Sequence, residues 1–321
     1  GDSAYSAWVF GDTFIGTVDE DGKRLAGSTL VNNTVALMYG SVPESENIRF
    51  YWKQTPDGNP EAVFVPDTAN AKPEHWYWLQ DGAVIGDRFY LFPIRMKPFN
   101  NFFAVDGVAI ISGPVQRNNP LANVSQIETP FFYQPTDGRG EIYFGAAVMV
   151  NTDGAGSPSP DGYVYVYGTQ NDPLNKKLVV ARILPWQIEE LDTWRFWDGA
   201  GWVTNIKDSA AVTDRVSSEL SVTPVGNGKY VLVFQVDTIG PDIGIKVGDS
   251  PVGPWGPLQR IYTTPEAALD PGIYTYNAKA HPHLSQPGEL LISYNVNTLD
   301  FFDHFRYADI YRPRFIRLIL Q

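Results

Sequence analysis

The chain consists of short apolar, β-branched and aromatic segments separated by tight turns rich in Gly, Asp, Asn and Pro. Such segments predict β-strands, and the turns between them predict hairpins. The segments form about five clusters at intervals of roughly 55 to 65 residues, with three or four segments in each. The clusters comprise residues 8–53, 74–112, 141–184, 218–247 and 274–297. This spacing favours a β-propeller, whose blades are four-stranded sheets around a central channel.

One further apolar segment, residues 314–320, follows the fifth cluster. We expect it to join the first blade, which would close the ring without leaving a free sheet edge. The prediction is therefore an all-β fold in which residues 1–321 form a single five-bladed β-propeller domain. A pair of β-sandwich domains is the alternative architecture, although no linker rich in Gly and Ser divides the chain.

Composition narrows the classes of function. The net charge of −12 disfavours nucleic acid, polyanionic substrates and anionic lipid surfaces, whereas a neutral glycan is compatible with it. The absence of cysteine excludes disulfides, thiolate metal sites and cysteine nucleophiles. No apolar run approaches the roughly 18 residues of a membrane helix, so no membrane span is expected. Since the chain starts abruptly at a functional strand, we expect a removed leader and a secreted, periplasmic or cell-surface protein.

Two aspartates near the start are the first candidates for catalysis. Asp12 follows the predicted buried strand of residues 8–10, and Asp2 lies ten positions upstream. A buried carboxylate is costly unless water, a partner or a ligand meets it. Two carboxylates on a rigid β-frame, with aromatic residues around them, suit a glycosidase. The alternative is that both aspartates cap turns.

Polar residues in the otherwise apolar first strands of the blades would face the channel. Asp81, Glu219, Asn277 and His281 are the candidates of this kind. Ordinary structural roles compete with these assignments: a turn for Asp81, an exposed strand face for Glu219 and a hydrogen-bonded core position for His281. Trp76 offers either a flat face for stacking on a sugar or an ordinary core aromatic.

Motifs of other chemistries are missing from the sequence. It has no Gly-rich phosphate loop, no His-Glu-x-x-His helix and no Gly-x-Ser-x-Gly elbow. His281 and His283 flank a proline and lack a clear third ligand, so no zinc site is predicted. We expect no cofactor, although channel carboxylates could hold a structural calcium or sodium ion.

Five segments together resemble a family of bacterial five-bladed β-propellers that was long catalogued as a domain of unknown function. They are Trp-Val-Phe-Gly-Asp-Thr-Phe-Ile-Gly, Ser-Glu-Leu-Ser-Val, Gly-Pro-Trp, Tyr-Asn-Ala-Lys-Ala-His-Pro and Ser-Tyr-Asn-Val-Asn. That family includes or lies close to the endo-D-arabinanases that cut mycobacterial arabinan. The resemblance implies that Asp2 and Asp12 are the catalytic pair of an inverting hydrolase. The family has a longer hairpin loop where Ser6 here runs directly into Ala7.

The resulting hypothesis is a glycoside hydrolase acting on a neutral polysaccharide that contains arabinofuranose. One of Asp2 and Asp12 would be the general base and the other the general acid, with Glu219 as the reserve acid. Asp81, Asn277 and His281 would bind sugar hydroxyls, and Trp76 would form a stacking wall. The alternatives are a non-catalytic glycan-binding propeller and a protein-interaction propeller with an exposed apolar patch. A sialidase fits less well, because no Ser-x-Asp-x-Gly-x-x-Trp box is present.

Overall fold

Strands that are consecutive in the chain pair antiparallel to form successive sheets of a ring, as the turn pattern predicts. The structure is a computed structural model that describes residues 5–116 and 121–320. In this part of the chain, the sheets form the five blades of an all-β propeller. The predicted fold class is therefore confirmed, and the pair of β-sandwiches is not found.

The first blade is a three-stranded sheet extended by short hairpins. Its strands are β1 (Tyr5–Phe10), β2 (Thr13–Ile15), β3 (Thr29–Val31), β4 (Thr34–Tyr39), β5 (Ile48–Tyr51), β6 (Lys53–Gln54) and β7 (Pro60–Glu61), in the pairings β1-β4-β5, β2-β3 and β6-β7. Asp12 lies at the break between β1 and β2. The opposite break holds Asn33, whose buried side chain donates to the carbonyls of Phe64 and Tyr77 at 2.9 and 3.0 Å. These bonds tie the break to the second blade.

The second blade contains the hairpin predicted around a Gly-Asp turn. Gly86 and Asp87 separate β9 from β10, and Gly86 has the positive φ of 64° that such a tight turn requires. The strands of this blade are β8 (Trp76–Trp78), β9 (Gly82–Ile85), β10 (Arg88–Leu91), β11 (Ile94–Phe99), β12 (Phe102–Pro114) and β13 (Ser125–Glu128). Strand β8 pairs with β11 at the edge of this sheet.

The third and fourth blades are meanders in which each strand pairs with the next. The third comprises β14 (Phe132–Tyr133), β15 (Ile142–Asn151), β16 (Tyr163–Asp172), β17 (Asn175–Ile183), β18 (Arg195–Trp197) and β19 (Trp202–Val203). The fourth comprises β20 (Leu220–Val225), β21 (Lys229–Gln235), β22 (Asp242–Gly248) and β23 (Gln259–Thr263).

The fifth blade has three strands, β24 (Ile273–Ala280), β25 (Glu289–Thr298) and β26 (Pro313–Ile319). A short helix α1 (Asp303–Arg306) lies between β25 and β26. Strand β26 pairs with β25 along its whole length, from Asn295↔Pro313 to Glu289↔Ile319. The prediction that the C-terminal strand would join the first blade is therefore not confirmed, because its hydrogen bonds are made within the last blade.

Helical structure is confined to single turns in the connections. Besides α1, the described residues contain the 3-10 turns Ser45–Asn47, Asp153–Ala155, Pro185–Gln187, Leu191–Thr193, Ile206–Asp208, Pro265–Ala268, Pro282–Leu284 and Ala308–Ile310. None of the helices described is long and apolar enough to cross a membrane.

Five apolar clusters fill the interfaces between neighbouring blades. Those between the first and second, second and third, third and fourth, and fourth and fifth blades are built from alternate residues of facing strands. The fifth cluster joins the first and last blades through Met38, Leu284 and Leu291, with Trp8 and Phe315 against them. Because apolar burial is the main favourable term in folding, the ring is closed here by side-chain packing.

Candidate functional site

Asp12 lies where the first hairpin of the chain is interrupted, facing the second and fifth blades. The indole N–H of Trp78 donates to Asp12 Oδ1 at 2.8 Å, and the Asn32 side chain is a second hydrogen-bond partner. Burial raises the pKa of the Asp12 carboxyl group, and these two hydrogen bonds oppose that rise because they stabilise the carboxylate. Asp12 is therefore a buried acid held in a defined orientation.

Glu219 immediately precedes β20. Protein surrounds its carboxyl group, although part of the residue's surface is accessible to water. Burial raises the pKa of its carboxyl group, and the positive charges of Lys279 and Lys176 oppose this rise. The Lys279 ammonium also donates to the backbone carbonyl of Gln80 at 3.2 Å. A carboxyl group that is enclosed and disfavoured as an anion is a candidate proton donor.

A wall of three tyrosines connects the surroundings of the two acids. Tyr311 faces Asp12, whose charge contributes to raising the Tyr311 pKa, although burial is the larger cause. Tyr276 shares a hydrogen bond with Tyr311, and both Tyr276 and Tyr274 have pKa values raised by burial and, to a smaller extent, by the charge of Glu219. All three phenols therefore stay protonated at neutral pH and can donate hydrogen bonds.

Asp12 and Glu219 differ from the other acids of the chain. Among the carboxyl groups of residues 5–116 and 121–320, only these two have a raised pKa. In acids such as Asp106, Glu128 and Asp172, arginine or lysine partners lower the pKa. A strongly perturbed carboxyl group inside a channel is a candidate for function, since an ordinary surface acid is held charged by its partners.

A cavity of about 230 Å³ opens beside Asp12. The segment between β25 and β26 forms its opposite wall, with His304 and Tyr311 facing inward. His304 is buried and bonds Asn297 Oδ1 at 2.8 Å through Nε2. The remaining lining is largely apolar and comprises Phe14, Leu30, Leu299 and Phe301 with Asn297 and Thr298. The cavity thus combines a carboxyl group and a phenol at its polar part with apolar walls.

Asp81 connects two neighbouring blades through hydrogen bonds. Its Oδ1 accepts from the N–H of Gly82 at 2.9 Å, and its Oδ2 accepts from the N–H of Val148 at 2.8 Å. Val148 lies in β15, so this carboxylate ties the second blade to the third. Asp81 also faces His283, whose lowered pKa it partly offsets. Sugar binding by Asp81 stays a prediction.

Asn277 is in a bulge of β24 and has a left-handed φ of 57°. Its buried Oδ1 has no hydrogen-bond partner among the described residues. A strained residue with an unpaired buried oxygen is typical of functional positions. The predicted contact of Asn277 with sugar stays open, and this geometry is compatible with it.

His281 is packed into the seam between the first and last blades. Its Nε2 lies 2.7 Å from Ser293 Oγ, and its ring centroid is 4.8 Å from that of Trp8. Burial lowers its pKa to about 3, so the ring is neutral. These contacts account for His281 structurally, and a contact with substrate stays a prediction.

Trp76 does not contact Asp12 in the way Trp78 does. It lines a second cavity with Phe64 and Asn32, on the far side of Leu30. The other member of the predicted catalytic pair, Asp2, lies outside the described residues. Of the predicted site residues, the structure places Asp12 and Glu219 against a common tyrosine wall, whereas Asp81, His281 and Trp76 have separate surroundings.

The described residues contain no group of three or more His, Cys, Asp and Glu side chains arranged to hold a metal ion. A calcium or sodium ion in the channel therefore stays a prediction, for which this part of the chain offers no such cluster of ligands.

A comparison with known protein families identifies the family to which the chain belongs. A family model described as a domain of unknown function, DUF5005, matches residues 2–319. The chain belongs to the DUF5005 family. This confirms the predicted membership of a propeller family catalogued as a domain of unknown function. No curated protein matches the chain.

Solved structures show the same fold as this DUF5005 protein. A proposed hydrolase from Bacteroides ovatus ATCC 8483 is 19% identical, with a TM-score of 0.73 over 98% of this chain and 82% of that one. An exo-β-1,3-galactanase from Phanerochaete chrysosporium is 11% identical, with a TM-score of 0.50 over 98% and 65%. At these identities the likeness shows the fold alone.

Of the residues beside the two acids, Trp78 and Tyr276 could be identified from the sequence, whereas His304 and Tyr311 could not. Trp78 could have been found, because it alternates with Trp76 in one strand and points to the same face. Tyr276 lies in the segment Tyr-Asn-Ala-Lys-Ala-His-Pro, one of the five segments that resemble the propeller family. His304 and Tyr311 carry no local signal, since only the ring brings the last connection against the first hairpin.

Proposed function

We propose that this DUF5005 protein is a glycoside hydrolase that cleaves a neutral polysaccharide. The observation that carries the proposal is the pair Asp12 and Glu219, the two described carboxyl groups whose pKa is raised, which face one tyrosine wall. Glycosidases use two carboxyl groups, one as acid and one as base or nucleophile. The neighbours of similar fold include a proposed hydrolase and a galactanase, which is compatible with this reaction class.

Different surroundings give the two acids different roles. Asp12 accepts hydrogen bonds from Trp78 and Asn32, which favour its carboxylate form, so we assign it as the general base that activates water. No side chain in the part of the chain that the structure describes donates a hydrogen bond to the Glu219 carboxyl group, and its enclosure favours the protonated form, so we assign it as the general acid. Asp2 remains a further candidate for the acid, as the family resemblance implies.

An arabinofuranose-containing polysaccharide is our first choice of substrate. This choice rests on the resemblance of residues 8–16 and 276–282 to relatives of the endo-D-arabinanases. The net charge of −12 supports a neutral glycan over a polyanion. Since such polysaccharides lie outside the cytoplasm, we also propose that the protein is exported.

Product release from a panel of neutral polysaccharides, with D-arabinan and L-arabinan included, tests this function. We expect wild type to cut at least one of them and Asp12→Asn to lower the rate at least about a thousandfold, some 4 kcal/mol of barrier. Asn keeps the size of Asp and removes its charge, so the fold should survive. Asp19→Asn, in the first surface turn, is the control and should keep full activity. Binding of a glycan without cleavage would instead favour a glycan-binding module.

We expect the reaction to invert the anomeric centre. Inversion needs carboxyl groups roughly 6.5 to 9.5 Å apart with a water between them, whereas retention needs about 5 to 5.5 Å. Proton NMR of the first products formed in the panel experiment shows which anomer is released.

A further inference from the structure

A second cavity, of about 250 Å³, adjoins the one that contains Asp12. Leu30 lines both cavities and forms the partition between them. Its side chain is 37% exposed, so the partition is a low apolar surface at which solvent reaches both sides. The two cavities are thus neighbours that share the Leu30 side chain as part of their lining.

Two further contacts connect the second cavity to the catalytic candidate. Asn32 lines this cavity and also makes a hydrogen bond to Asp12. Trp76 and Trp78 are two positions apart in β8 and therefore point to the same face of the strand. Their ring centroids are 6.3 Å apart, with Trp78 bonded to Asp12 and Trp76 lining the second cavity. One strand thus holds Asp12 through Trp78 and lines the second cavity with Trp76.

The sizes of the cavities indicate that neither is a complete site. Small-molecule sites begin at about 300 Å³. Each cavity is smaller than this, at about 230 and 250 Å³, whereas the two taken together exceed it. A ligand that fills only the cavity beside Asp12 would leave the adjoining one to water.

The lining of the second cavity suits a neutral saccharide. The face of Trp76 and the rings of Pro60 and Pro66 offer apolar surface on which the C–H face of a sugar can pack. Asn32 and Glu61 offer polar groups for hydroxyls. No lysine or arginine lines this cavity among the described residues, so it has no partner for a phosphate or carboxylate.

We propose that the cavity lined by Trp76 is a second saccharide subsite, so that a polysaccharide passes over Leu30 with one sugar unit beside Asp12 and a further unit in the cavity lined by Trp76. The inference rests on the proposed function and deepens it, because it identifies the substrate as a chain that continues past the site of cleavage. Trp76 is then a contact of a distal sugar unit, whereas Trp78 serves Asp12.

Binding to an inactive protein tests the subsite without requiring cleavage. The probes are arabino-oligosaccharides of two to six units, of the D and of the L series, titrated calorimetrically into Asp12→Asn. We expect affinity to rise with length until both cavities are filled. Adding Trp76→Ala should weaken binding of the longest oligosaccharide at least about tenfold and of the shortest less than about twofold. Trp76→Phe should restore much of the difference, because it keeps an aromatic ring.

Trp186→Ala is the matched control, since Trp186 is 74% exposed in a turn of the third blade. It should leave binding unchanged at every length. The proposal is overturned if Trp76→Ala has no effect, or if it weakens all lengths equally, as loss of general stability would. Release of single units from chain ends by wild type, without internal cleavage, would also overturn it.

The two proposals fail in distinguishable ways. A Trp76-dependent rise of affinity with length, in a protein that cuts nothing, would keep the subsite and overturn the hydrolase. Cleavage without the length dependence would keep the hydrolase and overturn the subsite. If the protein neither binds nor cuts any of these glycans, both are overturned.

Discussion

The Glu219 carboxyl group, our proposed general acid, lowers the stability of the folded protein when it is ionised. This carboxyl group is enclosed by protein, and burial raises its pKa although Lys279 and Lys176 are near. In the unfolded chain the same group has an ordinary pKa of about 4.3. The folded protein is therefore favoured by protonated Glu219, and that contribution is lost as the pH rises through the folded pKa.

Glu219→Gln should raise the stability of the protein increasingly as the pH rises, because it removes the cost of ionising an enclosed carboxyl group and keeps its size. The gain should shrink as the pH falls, since wild-type Glu219 is then protonated. Calorimetric melting temperatures between pH 4 and pH 8 measure this. Glu20→Gln, at an exposed turn position, should shift the melting temperature little at any pH. A variant that is less stable than wild type at pH 7 would contradict the assignment.

Strand β1 packs against the last blade and thereby helps to close the ring. Trp8 in β1 packs on the His281 ring and lies edge-on to Phe315 of β26, with centroids 4.8 and 6.0 Å apart. These contacts join the first blade to the last, between which the described residues show no strand pairing. Since His281 is neutral and bonded to Ser293, its ring adds no buried charge to this seam.

Trp8→Ala should lower the free energy of unfolding by about 3 kcal/mol, the lower end of the range for large aromatic residues in cores. The loss arises from the space left between the first and last blades. Urea denaturation measures it. Trp186→Ala removes an equally large but exposed ring and should change the same free energy by less than about 0.5 kcal/mol. Equal effects of the two variants would show that packing at the seam does not close the ring.

The whole molecule is a ring of five blades with a strongly negative charge and a polar channel. The net charge of −12 is spread over a chain with many Asp–Arg and Glu–Arg pairs at its surface, such as Asp237 with Arg215. A long-range field of this sign repels polyanions and leaves uncharged glycans unaffected. The negative charge therefore disfavours the binding of polyanions through long-range repulsion.

Cleavage of a neutral polysaccharide should depend little on salt. Between 0.1 and 1 M NaCl the screening length falls from about 10 Å to about 3 Å, which weakens only interactions between charges. We expect kcat/KM to change less than about twofold over this range, as measured by release of reducing ends. An anionic polysaccharide such as polygalacturonan should not be cut at either salt concentration. A steep dependence on salt would contradict a neutral substrate.

The strands of the blades could be predicted from the sequence alone. The same holds for Asp12 as one of the two candidate acids. Alternating apolar residues and turn dipeptides such as Gly86-Asp87 act over short distances, so β9, β10 and the spacing of the clusters could be predicted. Asp12 could be identified because a carboxylate directly after an apolar strand is unusual. Glu219 could be proposed only as a reserve, because either face of a strand was open to it.

How the ring closes and what surrounds each acid depend on contacts between segments that are far apart in the chain. Strand β26 carries an apolar pattern that suits either the first or the last blade, and its register with β25 settles the matter. Trp78, Tyr276 and Tyr311 lie beside the acids because the first, second, fourth and fifth blades converge there. Contacts between residues so far apart in the chain leave no local pattern, since they depend on the geometry of the whole ring.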